Sequence, residues 1–379
     1  PRQPTRCRWR SIAKVARTVS MSKSPKPLPS DPPKRTRFID GLNVAVKTGR
    51  RLGLVAPPRL EKAHLMAEAR AATGLDDFGD PWFERPFDVL LQSIHAEARL
   101  NPAGKLAAEK QFHHVLRDRL LTQWWFARHP EILARPVKRP VVIVGPMRSG
   151  TTRMHRLLAA DHRFSHMRSF ETISPVPRPE FEEVLKGEKQ DFRPVLASRI
   201  MKVARLANPR TLSIHPTGPY EPEEELGLLV ASFWGMKHEA QWHVPSYGRW
   251  CESEDATPAY RHMKDLLRLI GWSQQVSSIR PWILKTPQHM LDLPALLTVF
   301  PDARLIFTHR DPQAIGTGQH RPRADADLAL GLTWPAVQTE NGAHRRIVEN
   351  ALLTHPAAPR SPLLGRLKQE FHRALELVA

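Results

Sequence analysis

Pro140-Val-Val-Ile-Val-Gly-Pro-Met-Arg-Ser-Gly-Thr-Thr152 is the stretch on which the fold turns. The β-branched run Val141 to Val144 has the pattern of a buried parallel strand. Gly145 to Gly150 reads as a turn. Thr151 to Ala160 reads as a helix, with Met154, Leu157 and Leu158 facing inward. Strand, turn and helix in this order aim free backbone N–H groups and the positive helix end at one point. That is an anion site, and phosphate or sulfate suits it. Arg148 adds a charged fork, and Ser149, Thr151 and Thr152 add hydroxyl donors.

The spacing Gly145-x₄-Gly150 matches the Walker A loop, but Thr151 stands where that loop has its lysine. The cation lies inside the loop instead, at Arg148. The Mg²⁺-nucleotide geometry of an ATPase or GTPase is therefore not supported, and a metal ion is not expected.

Working outward, Trp282 to Leu284 and Arg304 to Thr308 read as two further strands, the second preceded by a Pro301-Asp302 turn. Strands alternating with helices predict an α/β fold with a parallel sheet. Lys285 and His289 leave the carboxyl end of one strand, and His309 and Arg310 leave the next. Ligands bind at such ends in open α/β sheets, so both groups can converge on the phosphate loop. Thr286 and Pro287 suit an N-cap and first helical position, which puts His289 in the first turn. An imidazole there is a candidate general base. Asp292 could instead cap a helix starting at Pro294.

The chain has 379 residues, 41% of them apolar, which is enough for a large core and excludes a wholly disordered chain. No apolar run reaches the length of a membrane span. Two cysteines, Cys7 and Cys251, exclude a disulfide framework and a thiolate metal site, and a cytoplasmic setting fits best. The net charge is +19, and residues 1–37 supply +10 of it from eleven Lys/Arg and one acid, Asp31. That segment reads as a basic disordered arm. A nucleic-acid or anionic-membrane contact is the sharper reading, and the segment also has the make-up of a transit peptide. Met21 could be the true start. No nucleic-acid module is recognisable, so no specific nucleic-acid partner is expected. Residues 38–135 read as a helical N-terminal region, with helices over Leu60 to Ala72, Phe87 to Ala98 and Leu106 to Ala127 serving packing and a possible substrate lid. Residues 136–318 form the α/β core, and residues 319–379 are a divergent tail.

The phosphate loop, Leu284-Lys285 with His289, Phe300-Pro-Asp-Ala-Arg304 and Thr308-His-Arg-Asp-Pro312 together resemble the PAPS-dependent sulfotransferase family in its bacterial branch. PAPS is 3′-phosphoadenosine 5′-phosphosulfate. Thr73-Gly-Leu-Asp-Asp-Phe-Gly79 and Phe170-Glu171 with Pro175-Val176-Pro177 add to the likeness, which spans roughly residues 60–315. It implies a P-loop-like three-layer α/β fold with a central parallel sheet, preceded by the helical region. It also implies PAPS as donor cosubstrate, with Arg148, Ser149, Gly150, Thr151 and Thr152 at its 5′-phosphosulfate and Arg310 at its 3′-phosphate. The family's Ser eight residues beyond that Arg is Gly318 here, and Thr317 stands beside it as the substitute. Arg148 and the loop amides would stabilise the departing 5′-phosphate, Lys285 would donate toward the bridging oxygen or steady the sulfuryl oxygens, and His289 would be the base, with a carboxylate of the Glu221–Glu225 cluster as rival. The acceptor would be a small molecule, lipid or carbohydrate bearing a hydroxyl or amine. A non-catalytic nucleotide-binding protein of the same fold, or a kinase-like phosphate-ester enzyme, is the alternative. Beyond about residue 316 the family pattern fades, as if the tail were divergent or out of frame. Oligomeric state is not legible.

Overall fold

The structure, a computed structural model, describes residues 36–145, 149–209 and 217–308. Arg148, His309, Arg310, Thr317, Gly318, the tail from 319 and the arm up to residue 35 lie outside the described residues. The helices used below are α1 (Arg37–Arg51), α2 (Lys62–Thr73), α3 (Glu84–Glu97), α4 (Pro102–Arg128), α5 (Thr151–Ala159), α6 (Ser169–Ile173), α7 (Arg193–Ala207), α8 (Leu226–Val230), α9 (Thr257–Ser273), α10 (Gln288–Leu291) and α11 (Leu293–Val299). The strands are β1 (Val141–Val144), β2 (Ile283–Lys285) and β3 (Arg304–Phe307).

The three strands form one parallel sheet in the order β2-β1-β3. Val141 pairs with Ile283 on one side and Arg304 on the other, and Ile143 pairs with Lys285 and Ile306. β1 is central, which is why its four residues are all apolar and all buried. Successive side chains alternate between faces. Val142 and Val144 pack with Leu284, with Met263, Leu266, Leu267 and Ile270 of α9, and with Leu296 of α11. Val141, Ile143 and Ile283 pack on the opposite face with Leu158, Phe164 and Ile306. Helices thus cover both faces, as the sequence led one to expect.

The rotation of α5 differs from that expectation. Its buried residues are Thr151, His155 and Ala159, while Met154 and Leu157 are exposed among the described residues. Of the three residues expected inside, only Leu158 packs on the sheet. Thr151 is buried at the loop exit, and that position, not the apolar side chains, fixes which stripe at i, i+4 and i+8 turns inward.

The N-terminal helices form where their patterning placed them. α2 stops at Gly74, and α4 starts at an Asn101 cap whose Oδ1 accepts from the Gly104 amide at 2.7 Å. Their core also takes in residues from far along the chain. Phe87 stacks on Phe233 at 3.9 Å between ring centroids, and Phe112 meets both Phe233 and Trp242 edge-on. Arg119 of α4 is buried, and its guanidinium donates to the carbonyls of Phe78, Asp80 and Ala231, each at 3.0 Å. It also lies over the Phe83 ring at 3.9 Å. Burial lowers its pKa to about 9, against the pull of Asp80 and Asp77. One side chain therefore ties α4 to the end of α8, just beyond the acidic cluster. These helices pack as a scaffold, the first of the two roles expected from sequence.

Candidate active site

The site grows from the end of β1. Thr308 continues the ladder beyond β3, donating its amide to the Val144 carbonyl at 2.9 Å, and its hydroxyl meets Ser149 Oγ at 2.7 Å. A Cβ on Gly145 would lie 2.9 Å from the Thr308 carbonyl oxygen and closer still to its hydroxyl, so only glycine fits between the two strand ends. Gly150 has φ +96° and caps α5, whose first turn holds Thr151 and Thr152. β1, the glycines at 145 and 150 and the start of α5 follow one another in the strand-then-helix order that the motif predicts.

The carboxyl end of β2 supplies the cation. Lys285 is buried, and its Nζ donates to Thr152 Oγ1 at 3.2 Å and to Glu224 Oε1. Its backbone amide donates to Glu225 Oε2 at 3.0 Å. The other Glu225 oxygen pairs with His289 Nε2, and His289 Nδ1 meets the Tyr260 hydroxyl at 2.9 Å. Burial alone would push the Glu225 carboxyl up. The charge and hydrogen bond of His289, with the Lys285 amide, hold it below the usual carboxylate range instead. His155 lies buried nearby, and its Nε2 finds no hydrogen-bond partner among the described residues. Burial lowers its pKa to about 4, although Glu225 pulls the other way.

The acidic cluster resolves into separate tasks. Glu221 is exposed. Glu223 accepts from Thr217 Oγ1 at 3.1 Å and Ser169 Oγ at 3.3 Å. Glu224 takes the Lys285 ammonium, and Glu225 takes the Lys285 amide and His289. Behind His289, Asp292 accepts from Trp234 Nε1 and Gln288 Nε2, each at 2.8 Å, and burial pushes its pKa up to about 6. The Gln288 amide donates to Thr286 Oγ1 at 3.4 Å, but the N-cap of α10 is Pro287, one position later than expected, and Asp292 precedes α11 without a side-chain cap bond. Glu171, in the Phe170-Glu171 pair, is fully buried and accepts from the Arg168 amide at 2.8 Å and Gln274 Nε2 at 2.9 Å. It anchors α6, whose Thr172 hydroxyl donates to the Glu224 carbonyl at 3.0 Å.

Of the residues expected at the site, Ser149, Gly150, Thr151, Thr152, Lys285 and His289 gather around the ends of β1 and β2. His289 lies behind the others, fully buried with both ring nitrogens engaged. Arg148, Arg310 and Thr317 lie outside the described residues. Tyr260, His155 and Thr308 were not foreseen. Tyr260 and His155 sit on helices whose apolar patterning masks them, and Thr308 was read as a strand end and motif residue without a contact to the loop. Among the described residues, no three His, Cys, Asp or Glu side chains converge to hold a metal ion.

A parallel sheet with helices on both faces is the fold that solved sulfotransferases share with this chain. The family model that matches, described as the sulfotransferase family, covers residues 140–321. Those residues, just under half of the chain, are the part that resembles that family. The crystal structure of sulfotransferase STF1 from Mycobacterium tuberculosis matches with a TM-score of 0.63 and 28% identity, over 84% of this chain and 90% of that one. That of sulfotransferase STF9 from Mycobacterium avium matches with a TM-score of 0.63 and 23% identity, over 83% and 77%, a likeness of fold. The omega-hydroxy-beta-dihydromenaquinone-9 sulfotransferase Stf3 of Mycobacterium bovis is 29% identical over 187 residues, 46% of this chain. The match spans 43% of the length of that curated relative.

Proposed function

We propose that the chain transfers a sulfuryl group from PAPS to an acceptor hydroxyl, on a P-loop-like core. The observation that carries this reading is the position of Lys285 Nζ, between a hydroxyl of the anion cradle and the carboxylate of Glu224. A cradle, a buried cation and a carboxylate in hydrogen-bond contact are the parts that sulfuryl transfer needs. The cradle fits the 5′ end of the donor: Gly145 lets the strand ends close up, and the α5 N-terminus presents its amides beside Thr152. Arg148 would add charge there, and Arg310 with Thr317 would hold the 3′-phosphate.

When bound, the donor supplies a sulfuryl group activated as a mixed anhydride with phosphate. The amides of α5 and the Thr151 and Thr152 hydroxyls bind its oxyanions. Lys285 neutralises charge that collects on the departing phosphate. Glu224, paired with that ammonium, takes the hydroxyl proton. His289 is better suited to positioning than to proton transfer from the acceptor, because Glu225 and Tyr260 occupy its two nitrogens. It holds Glu225, and Glu225 holds the Lys285 backbone. The named acceptor of the Mycobacterium bovis relative, a hydroxylated dihydromenaquinone, supports a hydroxyl on a lipid-like molecule as acceptor. The scarcity of cysteine supports a cytoplasmic setting.

Titration of the full chain with adenosine 3′,5′-bisphosphate and with ATP tests the donor. Radiolabelled sulfuryl transfer over alcohols, phenols and a hydroxylated isoprenoid quinol tests the reaction. Preference for the bisphosphate and label transfer to a hydroxyl are expected. Tighter binding of ATP, or no transfer from PAPS to any acceptor, overturns the reading.

A further inference from the structure

Among the described residues, α7 is covered at its start alone. Only its first turns are buried, at Arg193, Pro194 and Ala197. Arg193 fastens that end to Asp191 with hydrogen bonds of 2.7 and 3.0 Å. Beyond Ala197 no residue of the helix is buried. Val195, Val203 and Leu206, at i, i+8 and i+11, form an exposed apolar stripe with Ile200 at its flank. Val195 and Val203 are each 53% exposed. Arg199, Lys202 and Arg205 are interleaved with the stripe, and none makes an ion pair among the described residues.

The surface continues onto α1. The Thr36 hydroxyl donates to the Ala207 carbonyl at 3.3 Å, which joins the start of α1 to the end of α7. Phe38 and Leu42, one turn apart on α1, are exposed beside that junction. Across the two helices seven exposed cations (Arg37, Lys47, Arg50, Arg51, Arg199, Lys202, Arg205) face one acid, Asp40. α7 has no acid at all. The sequence preceding α1 carries the same sign of charge, +9 over residues 1–36.

We propose that the α1–α7 face docks the protein on an anionic lipid surface, with Val195, Ile200, Val203 and Leu206 entering the headgroup layer. Charge decides the occupant. Apolar side chains bordered by cations and nearly free of acids complement a sheet of anionic headgroups, whose attraction adds to the burial of the stripe. The stems of Arg and Lys can lie along the acyl boundary while their charges remain at the headgroups. This inference does not depend on the donor or the acceptor.

Flotation of the full chain with vesicles tests it. One vesicle is phosphatidylcholine alone, and the other contains about one-third phosphatidylglycerol. Binding to the anionic vesicles, weakened by high salt and lost on the neutral ones, is expected. Val203→Asp with Leu206→Asp, and separately Arg199→Ser with Lys202→Ser and Arg205→Ser, should each lower binding at least about tenfold. These are solvent-facing positions, and an unchanged circular dichroism spectrum and melting point confirm that the variants fold. Absence of binding overturns the proposal. So does binding that both variants retain, since it would then lie in the basic arm. A concentration-dependent dimer that Val203→Asp abolishes, with no vesicle binding, assigns the face to a second copy instead.

Discussion

Lys285 is held at two atoms by two consecutive carboxylates, and this makes its neighbours separable by mutation. Glu224→Gln should lower turnover by about 10²- to 10⁴-fold while leaving the affinity for adenosine 3′,5′-bisphosphate nearly unchanged, measured by steady-state kinetics and calorimetry. A loss of nucleotide affinity equal to the loss of rate would remove Glu224 from the role of base. His289→Ala should act differently. It leaves a buried carboxylate without its partner, so it should cost about 3–5 kcal/mol in urea unfolding, and Glu225→Gln in the same chain should recover part of that. No recovery would mean that the pair is not the unit the contacts describe. Lys285 was legible because it ends a recognisable strand. Its partners were not, because some sixty residues separate them from it (|i−j| 60 and 61) and four nearby glutamates look alike in sequence.

At the level of elements, the strand–turn–helix unit was readable because each part has its own periodicity and glycine ends the strand. Gly145→Ala tests the closeness of its packing. The added methyl would press on the Thr308 backbone, and a cost of about 1–3 kcal/mol together with weakened nucleotide binding is expected. An unaffected melting temperature would show that the two strand ends can part. The orientation of α5 was not readable, since burial of Thr151 at the loop exit outweighs the preference of Met154 and Leu157 for the interior. Arg119 was equally hidden, because an arginine in an amphipathic helix reads as surface. Arg119→Met should destabilise by roughly 3 kcal/mol or more, since three carbonyls lose their donor inside the core. Equilibrium unfolding measures it, and a change under 1 kcal/mol would mean that water replaces the guanidinium.

For the molecule as a whole, buried histidines set the response to acid. Burial lowers the pKa of His155 to about 4 and that of His238 to about 3, against 6.5 for the free side chain. Both are therefore held neutral in the fold but bind protons in the unfolded chain. Their contribution is full above about pH 6.5 and is lost as pH falls toward 4, roughly 3 kcal/mol for His155 alone. Asp292 opposes this. Its raised pKa, about 6 against 3.8, makes the fold take up a proton between those values, so its contribution grows with acid over much of the same window. The histidines outweigh it, and stability should fall between pH 7 and pH 5 in urea titrations. His155→Gln should flatten that fall, and an unchanged slope would deny His155 its part. None of these groups could be ranked from sequence, because burial, which decides them, comes from the assembly of distant segments.

Glu224 and Glu225 are neighbours on one peptide link, yet they grip opposite ends of the same lysine. The link is therefore inelastic. A single residue inserted between them should misalign both grips at once, whereas the exposed Glu221 side chain carries neither grip and its loss should be tolerated. Transfer measured for that insertion and for Glu221→Ala should show loss in the first and little change in the second.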